Sequence, residues 1–166
     1  NVRSKSLDPG MMLQLEADRL SYWFAQKPGS PDRVVALGDV VAQPLKSKSL
    51  QQISAQEMTL IFSSQSQAIE SLIARGEVRG WFLSLGESGR SASVSITDGY
   101  GITEKSPGSR ILTSSHLQVY FKLGTNQLLR VEARGSSTLE EFPLHQSVED
   151  KRTLSGTNFI LFYREH

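Results

Sequence analysis

The sequence predicts an all-β fold of stacked antiparallel hairpins, and three observations support this prediction. Serine contributes 24 of the 166 residues and glycine 13, a balance that suits short strands and turns better than long helices. A block of eight residues with large apolar side chains at its fourth, sixth and eighth positions occurs four times. In three copies a glycine follows 21 residues after the first residue of the block. Equal offsets of this kind indicate a repeated structural unit.

The four apolar blocks are predicted to be strands with one buried face. They occupy residues 17–24, 55–62, 114–121 and 156–163. Successive side chains of a strand point to opposite faces, so the three large residues of each block lie together on one side. Such alternation is typical of a sheet that is buried on one face.

A second strand is predicted after each of the first three blocks, and it carries the spaced glycine. These glycines are Gly38, Gly76 and Gly135, and a turn-rich segment separates each block from its glycine strand. Block, turn and glycine strand therefore form a hairpin. An alanine stands two residues before each glycine. Small residues inside a strand indicate a bend, a close backbone approach or space for a guest molecule, and a bend is the simplest interpretation.

Two stretches depart from the simple repeat. Residues 67–76 carry apolar side chains at helical spacing, but the phase of the repeat predicts a strand there. Residues 81–110 exceed one repeat and predict a longer hairpin insertion with strands at 81–85 and 92–96.

The chain is predicted to be one domain and a segment of a longer protein. Its repeats lie at about 17–44, 55–80 and 114–139, with a partial copy at 156–166 and the insertion at 81–110. The partial copy stops after its first strand, and the chain begins at Asn1 rather than at a methionine, which favours a segment of a larger product. An unfinished copy leaves an open sheet edge that another strand could extend.

Composition and charge exclude several classes of function. The chain has no cysteine, which excludes disulfides, thiolate catalysis and thiolate metal sites. Lysine and arginine total 18 against 17 acidic residues, so the formal charge is +1 and nucleic acid is not an expected partner. The apolar stretches are far shorter than the roughly 20 residues that cross a bilayer, which predicts a soluble segment.

Catalytic and metal-binding signals are weak, so we expect no enzymatic activity, no metal and no cofactor. His116 is predicted on the outward face of a strand, His145 in a loop and His166 at the end of the sequence, without metal-ligand spacing. Glycine-rich turns at 86–89 and 99–101 lack the features of a phosphate loop. Carboxylates near turns are interpreted as solvated surface, namely Asp98, Glu104, Glu140, Glu141, Glu149 and Asp150.

The apolar faces remain the candidate functional feature. Stacked hairpins would join these faces into a continuous lining once the sheet folds over itself. The simplest interpretation is a hydrophobic core, stabilised by about 25 cal/mol per Å² of buried apolar surface. The second interpretation is a lipid-binding groove, which requires the two sides to stay apart at one edge.

The repeat resembles that of the OstA-like family of periplasmic lipopolysaccharide-transport proteins, which includes LptA, the periplasmic domain of LptC and the N-terminal domain of LptD. The family pattern is a strand of A-D-x-h-x-h-x-h, where h is apolar, followed by h-x-A-x-G-x-V. The first copy reads A-D-R-L-S-Y-W-F and V-V-A-L-G-D-V, and two further copies and a partial fourth follow it. The third copy departs from the pattern at Gly135-Ser136-Ser137, where the family has an apolar residue.

This resemblance implies an open β-jelly-roll whose apolar interior holds the acyl chains of lipopolysaccharide in the periplasm. It implies that domains of this family join end to end through terminal strands, here near 11–15 and at 157–163. The lipid-facing side chains implied by position in the repeat are Leu20, Tyr22, Phe24, Val34, Val40, Met58, Leu60, Phe62, Leu72, Val78, Leu117, Val119, Phe121, Phe159 and Leu161. The cations that could meet sugar phosphates, or serve as ordinary surface charges, are Arg75, Arg79, Arg130 and Arg134.

Two other classes of function stay open on the sequence. A structural β-solenoid that self-assembles end to end through open edge strands would have a filled interior. A carbohydrate-active domain would stack sugars on Trp23, Trp81 and Tyr100. Filaments without bound lipid would favour the first class, and glycan binding that is lost in Trp81→Ala would favour the second.

Overall fold

A computed structural model describes residues 2–5, 13–24, 31–44, 47, 49–64, 68–83, 108–122, 127–142 and 151–163, with backbone only for the first of these ranges. The described ranges form nine strands and no helix, and so contain no helix that could cross a membrane. The strands are β1 (Val2–Lys5), β2 (Leu13–Ala17), β3 (Arg19–Phe24), β4 (Pro31–Pro44), β5 (Leu50–Phe62), β6 (Ile69–Leu83), β7 (Ser109–Phe121), β8 (Leu128–Glu141) and β9 (Arg152–Phe162).

The nine strands form one open antiparallel sheet that is not closed into a barrel. From β4 to β9 each strand pairs with the next one along the chain. Strands β2 and β3 lie end to end beside β4, and β1 pairs with β2. The hairpins β3–β4, β5–β6 and β7–β8 are the three repeats, and β9 is the partial fourth. The prediction of an all-β fold of antiparallel hairpins is therefore confirmed.

A row of β-bulges crosses the whole sheet and bends every long strand at the same level. In β4, β6 and β8 two residues of the glycine strand oppose one residue of each neighbouring strand. Gly38, Gly76 and Gly135 adopt φ values of +76°, +70° and +86°, a left-handed conformation that glycine reaches without a steric penalty. We call this row the crease; it consists of Asp18, Gly38-Asp39, Gln56, Gly76-Glu77, Ser115, Gly135-Ser136 and Thr157.

The crease divides the sheet into two layers that fold onto each other. Layer A contains 19–24, 31–37, 57–62, 69–75, 116–121, 128–134 and 158–162, and layer B contains 2–5, 13–17, 40–44, 50–55, 78–83, 109–114, 137–141 and 152–156. The Tyr163 amide donates to the Leu129 carbonyl in layer A at 3.0 Å. Its ring lies 6.1 Å from the Phe82 ring of layer B, centroid to centroid. The two layers therefore face each other, and the jelly-roll-like open β architecture expected from the sequence is confirmed.

The concave face between the layers holds the hydrophobic core. Met58 and Val119 of layer A and Phe82 and Leu112 of layer B are completely buried. Alternate residues of the same strands point outward to solvent, as the period-2 pattern predicts. One apolar cluster joins both layers from β2 to β8, so the core spans the sheet rather than a single hairpin.

Parts of both stretches that depart from the simple repeat lie in β6. β6 covers Ile69–Leu83, so the prediction of a strand where apolar spacing suggested a helix is confirmed. The predicted insertion differs from the structure at its start, because Trp81 to Leu83 continue β6 and pair with β7. The predicted partner strand at 92–96 lies outside the described residues.

Candidate functional site

The fifteen side chains that the sequence predicts on the lipid-facing surface differ in how deeply they are buried. Nine are buried, namely Val34, Val40, Met58, Leu60, Leu72, Val78, Leu117, Val119 and Phe121. Four are partly buried and pack against the core, namely Leu20, Phe62, Phe159 and Leu161. Two at the β3 edge are exposed, Tyr22 at 45% and Phe24 at 63%. The two most exposed of these side chains are thus at the β3 edge, and two of the partly buried ones are on β9, whereas Phe62 is partly buried at the end of the central strand β5.

The pairing register explains why β3 exposes apolar side chains. Leu20 pairs with Ala36 and Tyr22 with Val34, and both partners on β4 are buried. Residues directly opposite each other in a sheet share a face, so Leu20 and Tyr22 point toward the concave side. Among the described strands, only β4 pairs with β3, so β3 is an edge strand of layer A.

An apolar cleft lies between the two layers. It is lined by Leu13, Ala42, Pro44, Leu50, Ile53, Leu60, Ile69, Leu72 and Phe121, which come from both layers. This cleft has no room for a water molecule. The two layers therefore pack closely at this place, and an acyl chain could enter here only if they moved apart.

A few polar groups lie within this apolar interior. The Tyr163 hydroxyl is buried beside Phe82 and has no hydrogen-bond partner in the described part of the chain. Burial raises the pKa of Tyr163 above its usual value, although the nearby Arg110 charge acts in the opposite direction. Ser137 occupies the position that Val40 and Val78 hold in the other repeats, and its hydroxyl donates to the Gly135 carbonyl at 2.9 Å.

The N-terminal edge of the sheet differs from the prediction. The strand expected near 11–15 to join a neighbouring domain corresponds to β2, which is paired on both sides, with β1 and with β4. Periodicity could not reveal this, because β1 lies outside the recognisable repeat. In layer A the described edge strand on this side is β3, which pairs with β4 alone. The N-terminal edge is therefore staggered: layer B ends at β1, whereas layer A ends one strand earlier.

The C-terminal edge is β9, which includes most of the predicted terminal strand at 157–163. Within the described chain β9 pairs with β8 alone. Residues 152–158 are exposed along their whole length, and Leu154, Ile160 and Phe162 present large apolar side chains to solvent. An uncovered edge strand offers unpaired backbone N–H and C=O groups to another strand.

Several charged side chains of the outer face form ion pairs. Glu132 pairs with both Arg130 and Arg134, and Glu57 pairs with Arg75. Of the four arginines singled out in the sequence, Arg79 alone has no ion pair with a described residue. The arginine charges are thus mostly compensated, as expected for surface residues.

The candidate catalytic residues within the described ranges, His116, Glu140 and Glu141, do not form a common site. His116 lies on the outer face between Arg75 and Arg134 of the neighbouring strands. Burial lowers the pKa of its imidazole, and these two cations lower it further. Glu140 and Glu141 form ion pairs with Lys151 and Arg110 respectively. The other histidines and loop carboxylates lie outside the described residues, namely His145, His166, Asp98, Glu104, Glu149 and Asp150. Across the described ranges, no three potential ligands gather into a metal site.

The two described aromatic residues of the carbohydrate hypothesis, Trp23 and Trp81, are not arranged as a sugar platform. Trp23 is exposed, and the Arg33 guanidinium covers its ring at 4.5 Å from the centroid. Trp81 is only 5% exposed and belongs to a second apolar cluster with Leu83, Ile111 and Phe142. Tyr100 lies outside the described residues. This second cluster was not predicted from the sequence, although the alternation that buries Phe82 places Trp81 on the opposite face.

Comparisons with known proteins do not add a family to these observations. No protein-family model matches the chain, and no curated protein gives a significant match. The resemblance to the OstA-like family therefore depends on the repeat itself.

Proposed function

We propose that this protein is a non-enzymatic lipid-binding and transport module that carries lipopolysaccharide across the periplasm toward the outer membrane. The observation that supports this proposal is the apolar concave face of an open, creased sheet, which continues to both edges without closure. Tyr22 and Phe24 expose it at β3, and Phe159 and Leu161 partly expose it at β9. A core with no further role would be expected to cover these edge positions.

Acyl chains would enter between the layers from these edges. The layers are joined by continuous strands at the crease, so they can separate at the opposite side without breaking the backbone ladder. Separation of the layers exposes core side chains to solvent. An acyl chain would cover them again, and burial of each of its CH₂ groups contributes roughly 0.8 kcal/mol of binding free energy. Sugar phosphates would remain outside, where Arg79 is a cation without a described ion pair.

Partner domains of the same architecture would join through the sheet edges. β9 is the longer free edge, and its exposed backbone suits strand addition. Such joining would extend the apolar face from one domain into the next.

A photocrosslinking residue placed on either face of β9 tests lipid binding directly. Leu161 points toward the concave side and Ile160 toward the outer side, so the two positions form a matched pair. In Gram-negative cells we expect lipopolysaccharide adducts at Leu161 and at Phe62, and none at Ile160. Adducts at no inward position, or equal adducts at Leu161 and Ile160, would contradict the proposal.

Close packing at the described cleft favours a second candidate, a structural module that self-assembles end to end. The cleft has no room for a water molecule, while among the described strands β9 pairs with β8 alone. Electron microscopy and lipid extraction on the purified protein distinguish the two functions. Filaments free of lipid would support the structural role, and lipid-bound protein without filaments would support transport.

A further inference from the structure

Beside each described glycine of the crease lies a polar side chain from the part of the chain that pairs with the glycine strand and precedes it. The side chain of Asp18 occupies the space where a Cβ on Gly38 would lie. Gln56 fills the corresponding space at Gly76, and Ser115 fills it at Gly135. The left-handed backbone thus requires these glycines, and a Cβ at any of them would also displace the end of the neighbouring polar side chain.

The match has a fixed direction along the sheet. Gln56 lies between Gly38 on β4 and Gly76 on β6, yet the space that it fills is that of Gly76. Ser115 lies between Gly76 and Gly135, and it fills the space at Gly135. In all three pairs the polar side chain leans toward the strand that follows in the chain.

Thr157 is the fourth polar residue of this row. It stands in β9 at the position that Ser115 holds in β7, because Leu117 aligns with Phe159 and Val119 with Leu161. No following strand is present in the described part of the chain. The β9 edge thus carries the polar residue of such a pair, and no described strand supplies the matching glycine.

We propose that β9 binds an antiparallel strand that carries a left-handed glycine opposite Thr157. In β7–β8, Leu117 pairs with the alanine two residues before the glycine, and Val119 pairs with the valine four residues before it. By the same register the incoming strand places a small residue opposite Phe159 and an apolar residue opposite Leu161. The partner is therefore an extended segment of the pattern apolar, any, Ala, any, Gly.

A second copy of the described sheet does not supply such a strand. Its edge strand in layer A is β3. This strand pairs with the glycine strand β4 and contains no glycine itself. Its β1 contains no glycine and covers layer B only. The partner segment is therefore neither β3 nor β1 of a second copy. This inference rests on the proposed end-to-end joining and specifies the kind of strand that joins.

Synthetic peptides test the glycine requirement. One peptide carries the β8 sequence 128–141, a second carries the same sequence with Gly135→Ala, and a third carries the glycine-free β7 sequence 109–121. Fluorescence anisotropy measures the affinity of each for the intact protein, and hydrogen exchange reports protection of the β9 amides. We expect the first peptide to protect β9 and to bind about tenfold more tightly than the second, because alanine is strained in the left-handed conformation. The third should bind no better than the second.

Several outcomes would overturn the inference. Equal binding of the glycine and alanine peptides would remove the glycine requirement, and unprotected β9 amides at saturation would move the site elsewhere. Protection of β9 by self-association alone would identify a second copy as the occupant. Lipid adducts at Leu161 are a separate readout, so failure of lipid binding and failure of strand binding can be told apart.

Discussion

At the scale of single residues, the crease depends on backbone conformations that few side chains tolerate. Gly38 and Gly76 are each followed by a second left-handed residue, Asp39 at φ +39° and Glu77 at φ +44°. Aspartate enters this region more readily than most residues, whereas glutamate has no such preference. The bulge therefore stores strain at Glu77 that neighbouring strand pairing must offset.

The Gly76→Ala substitution should test the crease most directly. We expect a loss of about 1–2 kcal/mol in the free energy of unfolding, because alanine is strained at positive φ and its Cβ meets Gln56. Adding Gln56→Ala should recover part of the loss. Urea denaturation measures both effects, with Ser136→Ala as the control at an exposed crease position. An unchanged midpoint for Gly76→Ala would contradict the strained geometry.

The Tyr163 hydroxyl provides a second test at this scale. Tyr163→Phe removes a buried hydroxyl that has no partner among the described residues. We expect the free energy of unfolding to rise by about 1 kcal/mol, because an unsatisfied buried polar group is costly. Tyr120→Phe on the outer face is the matched control and should change stability little. Destabilisation by Tyr163→Phe would show that the hydroxyl has a partner after all.

His116 should make stability depend on mild acid. Its pKa is lowered in the folded protein, so the unfolded chain binds the proton more readily once the pH falls below the ordinary value of 6.5. Stability should therefore decrease as the pH falls from about 7.5 through 6.5 toward 5. In His116→Gln this decrease should be smaller, as measured by urea denaturation at each pH. Identical pH profiles would show that His116 is not the titrating group.

At the scale of elements, adjacent residues of β6 distinguish a strand from a helix. Leu72 is buried between the layers, whereas Ile73 points to the outer face. We expect Leu72→Ala to cost about 2–5 kcal/mol and Ile73→Ala distinctly less, because only the first leaves a cavity in the core. Thermal and urea unfolding measure the difference. Similar losses at both positions would indicate a buried helical face instead.

The repeat was predictable from sequence because its physical causes are local. Strand alternation and the glycine offset appear directly in the order of residues, and they correctly predicted the hairpins, the bend at Gly76 and the strand character of β6. The pairing of β1 with β2 was not predictable, because it depends on residues outside the periodic pattern. Exposure of Tyr22 and Phe24 was missed for a related reason, since a sequence does not show which strand lies at an edge.

The candidate site was predictable only as a surface. Alternation identified which side chains share the concave face, and the register confirms that grouping for Leu20 and Tyr22. The width of the space between the layers depends on how the two layers pack. No spacing of residues encodes that width, so the choice between core and groove needs coordinates and a binding measurement.

At the scale of the whole molecule, stability should decrease from the centre of the sheet to its edges. β6 and β7 are each covered by strands on both sides, whereas β9 is exposed and β3 has one partner among the described strands. We expect native-state hydrogen exchange to protect the amides of β5–β8 most strongly and those of β9 and β3 least. Uniform protection across the nine strands would instead indicate that the two layers unfold as one cooperative unit.

The crease also determines how such a protein can vary in size. Every hairpin bends at the same level, so one more hairpin would leave the cross-section unchanged and lengthen the molecule by two strand spacings, about 10 Å. The number of repeats then sets the length of the molecule in equal increments. A distance between two fixed surfaces could be matched by gain or loss of whole units, with no redesign of the core.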